Sequence, residues 1–474
     1  MPSPRIVIVG AGIAGLNAAL TLQDAGLACE VYEAADRVGG RMRSDGATWA
    51  DGMVTERCGE FIDSDHDALH QLIARFGLTL VALDQRRPAN AERLMFYDNH
   101  FVRSNEFADD FAVITPTLYR QAHDVGFPTT YDHYTPEGAR LDTMSVYDWI
   151  ERYVAGGHGV PVGRYLDSAC TGYLGMDSQQ QSALNLVYMF TPHESSTISK
   201  RSRMTPGSSK IAGGNERLPA AIANSLPADS IHLGQRLSAI AHEDAGLTLT
   251  FAAADGSVSV VECDYAILTL PFSVLRRLDY ARAGFDVLKR VAVEELGYGT
   301  VSKLFLQFDT RYWDERGPWP HPHSGFIITD LDIQTLWDTS VGQAGAAGLL
   351  VDYTSGRRGA AFAPSTPYST TDDSADIQRY AQNCLAQLER VFPGISAHYT
   401  GKAALSFPTG DPNLLGSYSC WRVGQYTQFA GYERVRQGPI LFAGEHCSVE
   451  YQGFMEGGAR EGARAAREII AEVG

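Results

Sequence analysis

Four residues near the N-terminus have the types and spacing to hold a dinucleotide. Gly10, Gly12 and Gly15 stand in GxGxxG spacing, and Glu33 follows them. Gly10 allows a tight turn, Gly12 lets a pyrophosphate approach the backbone, and Gly15 lets a helix pack closely on a strand. Glu33 is placed to accept hydrogen bonds from a ribose 2′-hydroxyl, which argues against a 2′-phosphorylated cofactor. Glycine-rich turns also serve packing alone. The setting separates the two cases: a strand before, a helix after, and an acid at the end of a second strand. All three are present. Ile6 to Val9 is an apolar β-branched run, and Leu16, Ala19, Leu20 and Leu22 mark an amphipathic helix ended by Gly26. Cys29 to Tyr32 reads as the second strand. The helix N-terminus then offers free N–H groups and a partial positive charge to the phosphates.

The second candidate is a lysine. In VSKLFLQF, residues 301–308, alternation places Lys303 on one face with Val301 and Phe305, and Ser302, Leu304 and Leu306 on the other. An ammonium among apolar neighbours costs free energy unless something uses it. Strand pattern alone favours an edge-strand lysine in water, whereas a lysine held in a cleft is a functional candidate.

After Glu33 the chain reads AADRVGGRMRS, and this GGR resembles the flavin amine oxidase superfamily, which includes monoamine, polyamine and L-amino acid oxidases. The resemblance implies FAD, with Arg37, Gly40 and Arg41 among its contacts and Arg41 at the pyrophosphate. It implies that Leu237 lies against the adenine end and that Gly59, Glu60 and Phe61 line the flavin ring. Gly444, Glu445 and the run through Phe454 and Met455 match the family's second FAD contact. A helix starting near Phe454 would turn its N-terminus toward the flavin pyrimidine oxygen. Ser417 stands where monoamine oxidases carry the cysteine that bonds flavin, so non-covalent FAD is expected, with nearby Cys420 keeping attachment open.

The same resemblance assigns the substrate side. GSYSCWRVG (416–424) and EYQGFMEGG (450–458) look like the two walls of an aromatic cage, with Tyr418 and Phe454 facing the amine and Trp421 as an alternative wall. Such ring faces orient an amine nitrogen; without the family, either aromatic reads as core. Lys303 lies in a GxVxK context like that of the family's lysine, which binds a water against flavin N5. Asp63 matches an acidic position that pairs with a distal ammonium in polyamine oxidases, and a solvent-facing aspartate is the plain alternative. L-amino acid oxidases place an arginine where Phe61 stands, although Arg57, Arg357, Arg358 or Arg422 could supply that charge. The implied reaction is oxidation of an amine to an imine by hydride transfer, with O2 as electron acceptor giving H2O2. L-amino acid oxidation is the alternative, and a dehydrogenase or desaturase not using O2 is a further one.

The elements that must position these residues are legible along the 474-residue chain. They imply an α/β fold with mixed character: a Rossmann-like FAD-binding domain from 1–84, 205–270 and 430–474, interleaved with a substrate domain of mixed sheet plus helices from 85–204 and 271–429. Helices are expected at about 65–76, near Val146, Trp149, Ile150 and Tyr153, at 178–190, 286–296 and 454–473, and one strand at 231–240. Residues 342–348 and 365–373 read as loops. His321 and His323 form an HxH pair without a third ligand and read as surface residues, so no metal is expected. The net charge of −17 disfavours nucleic acid and anionic membrane as partners. Seven scattered cysteines without a CxxC pair fit reduced thiols. A cytoplasmic protein without a signal peptide or membrane span is expected, with a small-molecule amine and O2 as partners and a homodimer as one possible assembly.

Overall fold

The computed structural model describes residues 3–83, 91–191, 208–243 and 246–473. Ile6–Val9 lies at the centre of a five-stranded parallel sheet in the order 440–442, 265–268, 6–9, 29–32, 231–232. All four of its residues are buried, as a β-branched run covered on both faces requires. The helix Ile13–Asp24 follows directly and packs on the C-terminal helix Met455–Val473. One glycine lets this helix sit close to the turn before it, and another lets the C-terminal helix approach it. A Cβ on Gly15 would lie 1.9 Å from the Gly10 carbonyl oxygen, and one on Gly462 would lie 2.0 Å from that of Ala14.

Among the described residues a second sheet has four strands, Val258–Cys263, Gly246–Ala253, Gln235–Glu243 and Asp279–Arg282. A third has eight, in the order 368–370, 399–406, 302–308, 348–354, 335–338, 323–329, 92–97, 100–102. Its strand Ser302–Phe308 runs antiparallel to both neighbours, with Lys303 opposite Tyr353 on one side and Ser406 on the other. Alternation divides it as the sequence implies. Leu304, Leu306 and Phe308 pack with Ile377, Ala381 and Leu388 of the helix Ala375–Val391, while Phe305 belongs to the core on the opposite face. The fold is α/β. Two of the four expected domain boundaries, 84/85 and 204/205, lie outside the described residues.

Several local expectations are corrected. The strand expected over 231–240 is two strands, Ile231–His232 in the parallel sheet and Gln235–Glu243 in the antiparallel one, separated at Gly234 with φ of 69°. The helix expected from Ser178 begins at Ala183, because Ser178 and Gln181 carbonyls accept from Tyr147 and Val146 instead. That helix is buried nearly all round rather than on one face. The expected loop at 365–373 contains the strand Tyr368–Thr370. His323 is not at the surface: it is buried, its Nε2 lies 2.6 Å from the Trp313 carbonyl, and its Nδ1 accepts from Gly325.

Candidate active site

A cavity of about 580 Å³ brings the N-terminal loop, the lysine strand and the C-terminal segments together. At one end the strand Ile6–Val9 gives way to Gly10, whose φ of 105° turns the chain and whose N–H donates to the Tyr32 carbonyl. Gly12 faces the cavity, and a Cβ there would meet nothing within 4 Å. That open backbone at a helix N-terminus fits a pyrophosphate. Glu33 is buried at this end, its carboxylate accepting from Ala11 and Ala35 backbone N–H at 2.7 and 2.8 Å. Burial nevertheless raises its pKa above the usual carboxylate value. Leu237 lines the same end, on the strand paired to Phe251.

Arg37 and Arg41 both line the cavity. Arg37 donates to the Val38 and Gly40 carbonyls. Arg41 donates to the Ser417 carbonyl at 2.9 Å and to Glu445 at 2.8 Å. Glu445 also accepts from Ser419 Oγ at 2.6 Å and Gly453 N–H at 2.7 Å. It therefore ties the GGR loop, the Tyr418 segment and the start of the C-terminal helix into one site. Burial pushes the Glu445 pKa up, but the Arg41 and His446 charges and the hydrogen bonds from Ser419 and Arg41 together bring the net shift downward.

Lys303 is buried in a central strand, not a surface lysine at an edge. Its Nζ donates to the carbonyls of Glu56 at 3.0 Å and Cys58 at 2.8 Å and to the Glu60 carboxylate at 3.0 Å. An ammonium has three donors, and all three have protein acceptors. Glu60 accepts in addition from Thr339 Oγ1 at 2.8 Å and Trp337 Nε1 at 3.3 Å, and lies 3.9 Å from Lys210. Burial works against its ionisation, yet the two lysines hold the Glu60 pKa below the usual value.

Glu56, next to this cluster, shows the opposite balance. Burial pushes its carboxyl up to about 8, despite hydrogen bonds from Asn215 N–H and Ser44 Oγ, with the Glu60 charge adding to the rise. Its folded-state pKa thus exceeds the value of about 4.3 in an unfolded chain. The folded state then holds the extra proton, so this contribution to stability is full below roughly pH 4 and is lost as pH rises through about 8. Glu56→Gln keeps an acceptor for Asn215 and is expected to flatten that slope. Melting midpoints of variant and wild type across this pH range check it; a pH-independent difference between them would contradict the assignment.

Phe61, Tyr418 and Phe454 line the cavity, as do Asp63, Gly59, Glu60, Gly444 and Met455. Tyr418 is fixed by its hydroxyl, which donates to the Tyr173 carbonyl at 2.9 Å and meets the Tyr353 hydroxyl at 2.8 Å. Phe454 packs edge-on against His66, ring centroids 5.2 Å apart. Asp63 accepts from Ser208 Oγ at 2.5 Å. Trp421 is placed elsewhere: it packs among Tyr426 and Phe429 and is not on the cavity wall, and neither is Cys420. Trp337, Tyr353, Tyr173 and Phe326, none of them singled out from sequence, complete the wall. The one sequence signal for Trp337 and Tyr353 is strand alternation, which acquires meaning only once the register puts Tyr353 opposite Lys303.

A model of flavin-containing amine oxidoreductases matches residues 13–470. The chain belongs to that family. Its cofactor is FAD, which the open backbone at Gly12, the buried Glu33 and the Arg41–Glu445 pair fit. Among curated relatives, an L-amino acid dehydrogenase of Synechocystis sp. is 26% identical over 493 residues, covering 98% of this chain and 94% of that protein. Polyamine oxidase 4 of Oryza sativa subsp. japonica is 25% identical, covering 98% and 88%. Among solved structures, cyclohexylamine oxidase from Brevibacterium oxydans IH-35A superposes with a TM-score of 0.82 at 22% identity, covering 99% of each chain. This member of the family is an oxidoreductase. Among its described residues, no helix is long and apolar enough to cross a membrane, and no group of three or more His, Cys, Asp or Glu side chains could hold a metal.

Proposed function

We propose that this flavin-containing amine oxidoreductase oxidises an amine with an apolar body to an imine, which water hydrolyses to an aldehyde or ketone. When bound, without a covalent link, FAD supplies the two-electron acceptor and O2 takes the electrons on to H2O2. The residues of the chain bind and orient. Phe61, Trp337, Tyr353 and Tyr418 make a linked aromatic wall, with successive ring contacts of 5.5 and 5.2 Å and then the hydroxyl pair. Such a wall favours the neutral amine, because a bare ammonium would lose its hydration there. Tyr418 and Phe454 direct the nitrogen, and Lys303 keeps a positive charge on the same cavity.

The observation that favours an amine over an L-amino acid is the state of the arginines. Among the described residues, five line the cavity: Arg37 donates to carbonyls, Arg41 to Glu445, Arg57 to Asp45 at 2.6 Å, Arg236 to Pro412, and Arg43 stacks 3.8 Å from the Tyr368 ring centroid. Arg357, Arg358 and Arg422 are off the cavity wall. L-amino acid oxidation has one observation of its own: Arg93 donates to the Tyr173 hydroxyl at 3.2 Å, behind the wall. A matched pair separates them. Phenylethylamine is expected to give at least about a hundredfold higher kcat/KM than phenylalanine in a peroxide assay, as rejection of an unmatched buried charge predicts. A preference for phenylalanine would reverse the assignment.

A further inference from the structure

Lys303 and the aromatic wall share an anchor. Both oxygens of the Glu60 carboxylate are used: Oε2 accepts from Lys303, and Oε1 accepts from Trp337 and Thr339. Lys303 and Trp337 line the cavity, whereas Thr339 stands behind the wall. Phe61, the residue after Glu60, packs its ring on Trp337. From Trp337 the contact continues to Tyr353 and Tyr418.

We propose that Glu60 is a positioning residue that sets the aromatic substrate wall and the Lys303 ammonium together, so that amine binding and the reaction with O2 depend on one carboxylate. The proposal rests on the amine-oxidising assignment of the cavity. Lys303, Lys210 and the Trp337 indole can only donate to Glu60, and Thr339 donates here as well. A glutamine would offer one acceptor oxygen and one NH2 group in place of two acceptors. With the oxygen held by the ammonium, the NH2 would face the indole N–H and displace the wall. Lys303 would lose its counter-charge at the same time and with it the fixed position of its Nζ.

The test measures the two half-reactions of the FAD-loaded protein separately, with phenylethylamine as the probe. Glu60→Gln is expected to weaken amine binding about tenfold in anaerobic titration, the size set by one buried donor losing its acceptor. It is also expected to slow the return of flavin colour in air-saturated buffer about tenfold, with FAD content unchanged. Thr339→Val, which touches neither ligand, is expected to move both in the same direction by about threefold, and it carries the test alone should Glu60→Gln fail to fold. Either half-reaction staying within about twofold of wild type, in whichever of these variants folds, would overturn the proposal. The wild type is the control: if phenylethylamine does not bleach its flavin, the assignment of the cavity has failed, and not the linkage through Glu60.

Discussion

Lys303→Met is expected to slow turnover about 10²-fold while the protein remains yellow, the scale seen when one preorganised charge is removed from a water-excluded site. The expectation follows from where the ammonium sits. Its strand is central, both faces are covered, and its Nζ is held by two backbone carbonyls and Glu60 at 2.8 to 3.0 Å. A positive charge so fixed needs no reorganisation when negative charge develops nearby. Methionine fills similar space without it. The cost to the fold is moderated because Glu60 keeps Lys210 at 3.9 Å and the Thr339 hydroxyl at 2.8 Å. Breaking a buried pair outright costs about 3–5 kcal/mol, so the variant should melt earlier and yet retain FAD. Rapid-mixing measurement of colour loss with amine and of its recovery with O2 checks this. Both rates unchanged would remove Lys303 from the chemistry.

Gly462→Ala is expected to release FAD and destabilise the protein, although the glycine lies in a helix far along the sequence from the nucleotide loop. The added Cβ would stand 2.0 Å from the Ala14 carbonyl oxygen and 2.8 and 3.0 Å from its carbon and Cα, all of them backbone atoms. Nothing there is a flexible side chain that could swing aside. The helix Ile13–Asp24 would have to retreat, and its first turn is the part that presents N–H groups to the cofactor. Overpacking of this kind costs about 1–3 kcal/mol or more. At least a tenfold loss in FAD affinity should accompany it, because about 1.4 kcal/mol corresponds to a factor of ten. Gly159→Ala, where a Cβ meets nothing within 4 Å, should stay within about 0.5 kcal/mol of wild type. Melting midpoints and the visible-to-ultraviolet absorbance ratio after desalting measure both effects. Full FAD retention in Gly462→Ala would mean that the two helices are not held at this distance.

The nucleotide end of the cavity is legible in the sequence because its determinants are local. Strand, glycine turn, helix and acid follow one another within residues 6–33, and each reports its own role through residue type. Lys303 is legible through its GxVxK resemblance, since alternation alone also describes an edge-strand lysine in water. The substrate wall is not legible in this way. Trp337 and Tyr353 reach the cavity only because strands 335–338, 348–354 and 302–308 pair in one register. Trp421 shows the converse. It stands close to Tyr418 in sequence, but backbone pairing of Tyr418 and Cys420 with Gly299 and Gly297, and of Arg422 with Gln181, carries it into the helical core. The single expected strand over 231–240 fails because a left-handed glycine at 234 lets one extended stretch serve two sheets. Tyr368 lines the cavity from a stretch whose Ser, Thr, Pro and Asp content reads as loop.

The most direct test of the central claim is the visible spectrum of the purified protein, followed during anaerobic mixing with a panel of amines and L-amino acids. Amines such as phenylethylamine or putrescine are expected to bleach the flavin absorbance, with colour restored by air and peroxide formed. Bleaching by L-amino acids alone would contradict amine oxidation and shift attention to Arg93, and a colourless protein that takes up no FAD would contradict the cofactor site built from Gly12, Glu33 and Arg41.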